Sequence, residues 1–333
     1  MRIFLLIFTV LILLSCEQDE ANKSTNNKRD FYWRVDTTEM SGTSIRETFP
    51  VVTMVNYTTA SAIDLPESSR VLVTRQGGQV FAYPLNYMGI EVLNEESGDK
   101  FFVPNYCPLT RTSMVWDRKI GDTVFTFAAS GLLYRENLVL YDIERRRLWS
   151  QMLIEKIYGG QDLSQPQTLH SFESTFGMIK THYPNAKVYN GVFNSSARKT
   201  EQADHKDADP GDDDISTPLY SPGENVYGVI QDDYVITISH NDLPNGLSII
   251  TKDNIVIVSN REMGLIVSFI NNSGLSLVKN EFPTVLRDAQ GIKYDIFGKP
   301  VNLTGTANLE SPNAYNALWW AWDSFYDEFD PVE

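Results

Sequence analysis

Short segments in which apolar and polar residues alternate recur along most of this 333-residue chain. "RVLVTRQGGQVFAYPL" has a turn signal at Gly77-Gly78, and "NLVLYDIERRRLWSQM" has one near Asp142. Downstream, "NVYGVI", "DYVITIS", "NIVIVS" and "GLIVSFI" are rich in β-branched residues and are separated by Asp, Asn or Gly. Because alternation with a period of two is typical of half-buried strands, the sequence predicts a mainly β fold (α+β with few short helices).

Two segments instead have apolar residues at helical spacing. "FESTFGMIKTHYP" would place Phe172, Phe176 and Ile179 on one helix face, and the helix would close before Pro184. "NAYNALWWAWDSFYDEF", near the C-terminus, would bury three side chains on one face: Leu318, Trp322 and Phe325. These are the two helices that we expect.

The chain shows a weak internal repeat. Residues 71–86 and 226–241 align without gaps and share four identities: Val71/Val226, Gln76/Gln231, Val80/Val235 and Asn86/Asn241. Further on, Tyr141-Asp142 faces Tyr294-Asp295. The alternative is a chance match, because β-rich sequences resemble one another by composition. The repeat predicts two related β-rich halves packed together, residues 31–194 and 219–333, the second ending in the Trp-rich helix.

Between the halves, residues 195–218 are acidic and carry almost no apolar side chains. "DADPGDDD" resembles a calcium loop in its carboxylates. However, its glycine comes too soon, a proline interrupts it and the terminal glutamate is missing. We therefore expect an acidic disordered loop rather than a metal site.

The N-terminus has the features of a lipoprotein signal peptide. The uncharged apolar run Ile3–Leu14 is too short to span a bilayer. It ends in "LLSC", a bacterial lipobox, so residues 1–15 are predicted to be removed and Cys16 to be lipidated. An ordinary signal peptide with a chance cysteine is the alternative. Residues 16–30 are then a flexible tether. The "EQDE" after the lipobox resembles an export signal, so we expect a cell-envelope protein at the outer membrane (periplasmic or surface face).

The formal net charge of −15 makes nucleic acid a poor partner. The expected partners are the membrane, through the lipid anchor, and an unknown small ligand. The chain contains no Gly-x-Ser-x-Gly, Walker or dinucleotide motif. We predict no cofactor, and whether the protein is an enzyme stays open.

The motifs of the first half resemble a known family. "YCPLT", "WDR", "SGLLY", "NL", "YD" and "LWSQ" occur in that order between Tyr106 and Gln151. This order is similar to the signature of domain-of-unknown-function family 3179, and the resemblance extends over roughly residues 65 to 326. Some members have Cys-x-x-Cys at the first motif, which implies redox or soft-metal chemistry. Here Thr110 replaces the second cysteine, which excludes dithiol exchange within one chain.

A small pocket between the Cys107 segment and the Asp142 hairpin is the predicted site. Its candidate residues are Cys107, Thr110, Arg118, Ser130, Tyr134, Asn137, Asp142, Trp149 and Gln151. The leading hypothesis is an envelope lipoprotein that binds a small ligand there. The alternatives are thiol-redox or soft-metal handling by Cys107, and a structural role in a surface complex.

Each candidate residue also has a purely structural interpretation. Asp142 and Asn137 would cap a hairpin, Trp149 would be core, and Cys107 would be a buried packing residue whose change to Ala costs less stability than its change to Ser. A reactive Cys107 would need a lowered pKa, with Arg111, Arg118 or Arg135 as sources of positive charge.

Overall fold

The computed structural model describes residues 32–42, 49–89, 91–162, 164–191, 218–303 and 305–332. The signal peptide, Cys16, the tether and residues 195–217 of the acidic loop lie outside the described residues, so the predictions about them stay predictions.

The described part of the chain is mainly β, as predicted. In the first half the strands are β1 (Tyr32–Trp33), β2 (Met40–Gly42), β3 (Tyr57–Thr59), β4 (Arg70–Gln76), β5 (Gln79–Pro84), β6 (Glu95–Ser97), β7 (Lys100–Cys107), β8 (Thr112–Asp117), β9 (Lys119–Ile120), β10 (Thr123–Val124), β11 (Phe127–Tyr134), β12 (Asn137–Asp142), β13 (Leu148–Ser150), β14 (Glu155–Gly159), β15 (Ser171–Thr175) and β16 (Lys187–Tyr189). In the second half they are β17 (Asn225–Ile230), β18 (Val235–Ser239), β19 (Ser248–Lys252), β20 (Ile255–Asn260), β21 (Leu265–Ile270), β22 (Ser276–Leu277), β23 (Thr284–Arg287), β24 (Lys293–Asp295), β25 (Ala314–Leu318) and β26 (Phe329–Pro331). Among the described residues, the α-helices are α1 (Phe176–His182) and α2 (Trp319–Phe325), and short 3-10 turns lie at Thr37–Glu39 and Leu85–Tyr87.

The described strands form several sheets. The largest has the order β19-β20-β21-β15-β4-β5-β16-β3 and joins strands of both halves through the pairing of β15 with β21. A six-stranded sheet, β1-β14-β13-β12-β11-β2, belongs to the first half, and a four-stranded sheet, β25-β17-β18-β26, to the second. Smaller sheets are β6-β7-β8, β22-β23-β24 and β9-β10. The two halves therefore share backbone hydrogen bonds.

The strand pairing repeats between the halves. The hairpins β4–β5 and β17–β18 occupy the two aligned segments and have the same register, since Val71 pairs with Pro84 and Val226 with Ser239. In each half, an antiparallel strand (β15 or β25) pairs with the first strand of the hairpin and leads into a seven-residue helix. A parallel strand (β16 or β26) pairs with the second strand of the hairpin. This pairing is more specific than the four sequence identities.

Both predicted helices exist, but each is shorter than the sequence pattern indicated. Residues 171–175 and 314–318 are strands, so Phe172 and Leu318 belong to β15 and β25 rather than to helices. Each strand leads directly into its helix, and Phe176, Ile179, Trp322 and Phe325 are buried as expected. Cross-strand pairing determined the structure of these segments, which apolar periodicity alone could not reveal.

The core near the predicted site combines both halves. One buried cluster contains Cys107, Trp116 and Trp149 from the first half and Trp319 and Trp322 from the second. Within the described ranges, no helix is long and apolar enough to cross a membrane.

Candidate functional site

Cys107 is the last residue of β7 and is 1% exposed. Its sulfur accepts hydrogen bonds from the Thr110 hydroxyl, the Thr110 N–H and the Leu138 N–H. Burial raises the pKa of the thiol, the negative charge of Glu91 raises it further, and the three donors oppose both effects. The structure therefore holds Cys107 as a buried, hydrogen-bonded thiol.

A buried polar network continues from this thiol. The Thr110 hydroxyl oxygen accepts hydrogen bonds from Thr112 Oγ1 and Asn137 Nδ2, both at 2.9 Å, so its own proton is available to the sulfur. Asn137 also donates to Gln151 Oε1 at 2.9 Å, and Gln151 Nε2 donates to Asn105 Oδ1 at 2.7 Å. All five of these polar side chains are buried. Four predicted site residues, Cys107, Thr110, Asn137 and Gln151, thus do come together.

Glu91 is the charged neighbour that sequence reasoning missed. Its carbonyl accepts the Tyr106 N–H at 2.8 Å, which places the residue beside the end of β7. It is half-buried and has a φ of 68°, a conformation that is uncommon for a residue with a side chain. Burial raises the pKa of its carboxyl group to about 7. The negative charge of Glu91 in turn contributes to the raised pKa of the Cys107 thiol.

None of the arginines proposed to activate Cys107 contributes to its pKa. Arg118 donates its Nε–H to the Phe125 carbonyl at 2.8 Å. Arg135 binds Glu39 and the carbonyl of Ser324, and Arg111 is exposed. These arginines are near Cys107 in the sequence, but the charged group that acts on the thiol in the fold is the Glu91 carboxylate.

Asp142 and Trp149 form a second group at the end of the β12–β13 hairpin. The buried Asp142 carboxylate accepts the Arg145 N–H at 2.7 Å, Arg147 Nε–H at 2.7 Å and Trp149 Nε1–H at 2.8 Å. The first of these bonds caps the turn, so the predicted capping role is confirmed for Asp142, whereas Asn137 bonds Thr110, Gln151 and the Met152 N–H instead. Trp149 is fully buried, which confirms its core role.

The remaining predicted residues lie apart from both groups. Ser130 is buried at a bulge in β11, and its Oγ accepts the Leu132 N–H at 3.1 Å. The buried ring of Tyr134 packs edge-on against Phe325 with centroids 5.6 Å apart. Arg118 is half-buried and also donates to the Glu95 carbonyl at 3.2 Å. The eight other predicted residues are all buried, so none of them offers an open binding surface.

An open cleft does exist at the second-half counterpart of Asp142. Asp295 ends β24 as Asp142 ends β12, and its Oδ1 accepts two turn N–H groups, those of Phe297 and Lys299, each at 3.0 Å. Its Oδ2 binds Arg75 Nη1 of the first half at 2.6 Å. Both side chains line a cleft of about 870 Å³. The aligned pair Tyr141-Asp142 and Tyr294-Asp295 was a signal that could have led to this cleft.

The cleft combines residues of both halves. The first half contributes Arg75, Gly78, Gln79, Val80, His182, Tyr183, Pro184, Asn185 and Ala186, and the second half contributes Asp295, Lys299, Pro300, Val301, Asn302 and Leu303. The Arg75 guanidinium lies 4.0 Å from the Phe297 ring centroid. The buried Tyr183 hydroxyl has no well-formed hydrogen bond to any described residue, and Arg75 is its cationic neighbour. Partial burial lowers the pKa of His182, which favours its neutral form.

A third polar group surrounds Glu95. Its carboxyl group accepts hydrogen bonds from Tyr57 and, at 3.4 Å, from Tyr83. Burial raises the pKa of Glu95 to about 7, although these bonds and Lys187 oppose the shift. No sequence motif pointed to this group, because its members come from three separate strands.

Where side chains are described, no three His, Cys, Asp or Glu residues lie close enough together to hold a metal ion.

Comparison with known proteins bears on the identity of the fold. The model of the family described as "Protein of unknown function (DUF3179)" matches residues 46–329. The chain belongs to this family.

The DUF3179 match includes both copies of the hairpin and of the strand–helix pair, and it ends at Phe329, the first residue of β26. A single match of this family therefore spans most of both halves. The cleft lies entirely within the match, as do Cys107 and its polar network. No curated protein and no solved structure matches the chain.

Proposed function

We propose that this DUF3179 protein is a lipid-anchored protein of the cell envelope that binds a small anionic molecule in the cleft beside Asp295. The observation that carries the proposal is the open cleft of about 870 Å³ between the two halves, lined by Arg75, Lys299 and the unpaired Tyr183 hydroxyl. The lipobox at Cys16 supports the location. The proposed binding site is therefore not the one predicted near Cys107 and Asp142. It lies at Asp295, the counterpart of Asp142, where the side chains are accessible.

The size and chemistry of the cleft fit a small-molecule site. Sites for such ligands usually have volumes of about 300–1,000 Å³ and a few convergent polar groups, often where two units meet. Here Arg75 and Asp295 come from different halves. They form an ion pair in which Arg75 Nη1 lies 2.6 Å from Asp295 Oδ2, and this pair holds both side chains in position. Arg75 still has further N–H groups to donate, and a buried hydroxyl without a partner is expected to gain one from water or ligand.

The charges of the cleft favour an anion. Arg75 and Lys299 carry two positive charges and Asp295 one negative charge, with His182 neutral at physiological pH. This local excess of positive charge stands in a chain with a net charge of −15. A carboxylate or phosphate group would be held by charge-assisted hydrogen bonds, which are about twice as strong as neutral ones.

The proposal is tested by a thermal-shift screen of the purified protein. The panel contains mono- and dicarboxylates, phosphate monoesters and their uncharged analogues at constant ionic strength. We expect at least one anion to raise the unfolding temperature of the wild type and to have a smaller effect on Lys299→Gln. Lys119→Gln, which removes an exposed lysine outside the cleft, is the matched control. Stabilisation by uncharged compounds alone would contradict the proposal.

The second candidate is thiol chemistry at Cys107. The three hydrogen-bond donors around the sulfur favour it, because such donors stabilise a thiolate. Burial and Glu91 act against it. Titration of the folded protein with a thiol reagent, with and without copper(I) or zinc, separates the candidates. A thiol that reacts much faster than the protein unfolds would favour this second function.

A further inference from the structure

Two cationic side chains, Arg147 and Lys156, are buried beside strands β13 and β14 of the six-stranded sheet. Each side chain is only 2% exposed. Arg147 Nη1 lies 3.4 Å from Asp162 Oδ1, and Lys156 Nζ lies 3.1 Å from Asp162 Oδ2. One carboxylate thus bridges two buried cations, although its own side chain is 42% exposed.

The charge balance of this cluster depends on Asp162. The fully buried Asp142 carboxylate neutralises Arg147 at 2.7 Å. Asp162 is the only carboxylate of the described chain within ion-pair distance of Lys156. A buried cation without a counter-charge is strongly unfavourable. If Asp162 moved away, the cluster would require another anion in its place.

Arg147 is held in position by contacts that do not involve Asp162. Its guanidinium lies between two rings, 4.4 Å from the Phe125 centroid and 4.6 Å from the Trp149 centroid. Its stem packs against Gly159, where a Cβ would lie 2.7 Å from Arg147 Cγ. Yet its buried Nη2 has no hydrogen-bond partner among the described residues. A fixed arginine with an unused buried donor is typical of an anion-binding site.

Asp162 belongs to the chain, yet its carboxylate contacts Arg147 and Lys156 as a bound carboxylate ligand would. It follows Gly159-Gly160 and lies on an exposed connection. Its Oδ1 also accepts a hydrogen bond from Ser164, and its carbonyl accepts from Lys156 and, at 3.4 Å, from Arg34. The carbonyl contacts hold the backbone, so the carboxylate can be removed by mutation while Lys156 and Arg147 keep their places.

We propose that Arg147 and Lys156 form a carboxylate-binding site, separate from the Asp295 cleft, in which Asp162 occupies the place of an external carboxylate. A carboxylate delivered by another molecule would bridge Arg147 Nη1 and Lys156 Nζ as Asp162 does. In the resting protein Asp162 competes with it, because a tethered group has a high effective concentration. The ligand class is a compound with an accessible carboxylate group.

The test removes the tethered carboxylate and supplies a free one. In Asp162→Ala, the unfolding temperature should rise with the logarithm of the acetate concentration when chloride keeps the ionic strength constant. A rise of about 2 °C is expected once acetate exceeds its Kd tenfold. The wild type should show no such rise, and neither should Glu281→Ala, which breaks an exposed ion pair with Lys293.

Two further variants make the result decisive. Asp162→Asn keeps the shape of the side chain and serves if the alanine variant does not fold. Adding Lys156→Met to either variant should abolish the acetate effect, because one of the two cations is lost. An equal response to acetate and chloride, a response that persists without Lys156, or a response to phosphate alone would overturn the proposal. None of these outcomes depends on the Asp295 cleft.

Discussion

At the scale of single residues, the hydrogen bonds at Cys107 change the expected effect of its substitution. A packing cysteine should tolerate Ala better than Ser. However, the sulfur accepts hydrogen bonds from Thr110 Oγ1, Thr110 N and Leu138 N. Ala would leave these buried donors without an acceptor, whereas the Ser oxygen can accept hydrogen bonds from them. We expect Cys107→Ala to lower the free energy of unfolding by about 1 kcal/mol more than Cys107→Ser. Urea unfolding of both variants measures the order, and the opposite order would indicate that the donors contribute little.

Glu95 gives the protein a predictable response to pH. Burial raises the pKa of its carboxyl group to about 7, from an ordinary value of 4.5. The folded state therefore holds a proton that the unfolded state releases between these values, so this group's contribution to stability is lost as pH rises from 4.5 through 7. This loss is absent in Glu95→Gln. The free energy of unfolding of Glu95→Gln, taken relative to that of the wild type at the same pH, should therefore increase by up to about 1.4 kcal/mol per pH unit.

The comparison uses unfolding curves at several pH values from 5 to 8. Because both proteins share all other titrating groups, the difference between them isolates Glu95. Glu96→Gln, which changes an exposed neighbour on β6, is the matched control. A difference between Glu95→Gln and the wild type that does not change with pH would show that Glu95 titrates normally.

At the scale of elements, the packing of α2 on β17 depends on Gly228. A Cβ at this position would lie 2.4 Å from Trp322 Cζ2, and the fully buried Trp322 donates to the Val226 carbonyl at 3.1 Å. Gly228→Ala should therefore lower the free energy of unfolding by about 1–3 kcal/mol. Gly223→Ala, whose Cβ would contact nothing within 4 Å, should be nearly neutral. Equal effects of the two substitutions in denaturant melts would contradict this account.

The elements also show how far the sequence could predict the fold. The β4–β5 and β12–β13 hairpins were predictable because their turns carry Gly77-Gly78 and Asp142, which determine local geometry. Segments 171–175 and 314–318 were not, because their strands are determined by partners that lie far away in the chain. The motifs around Cys107 and Gln151 are linked in the fold through Thr110 and Asn137, whereas Glu91 and Asp295 approach their partners only through the tertiary fold.

At the scale of the whole molecule, the predicted arrangement is a folded two-half domain attached to a membrane through its N-terminus. The motivating observation is "LLSC" after a short apolar run. We expect Cys16→Ala to abolish acyl labelling and to release the protein from the membrane fraction, because the lipid is the proposed anchor. Cell fractionation and labelling with a fatty-acid analogue measure both effects. Normal labelling of the variant would contradict the lipobox assignment.

The central claim is that a small anion binds between the two halves, beside Arg75 and Lys299. It is tested most directly by isothermal titration of the wild type, Lys299→Gln and Lys119→Gln with an anion that stabilises the wild type. The account predicts one site per chain, a Kd about tenfold weaker in Lys299→Gln, and an unchanged Kd in Lys119→Gln, because a charge-assisted hydrogen bond contributes about 1.5–3 kcal/mol. Equal affinity in all three proteins would show that the anion does not bind in the cleft.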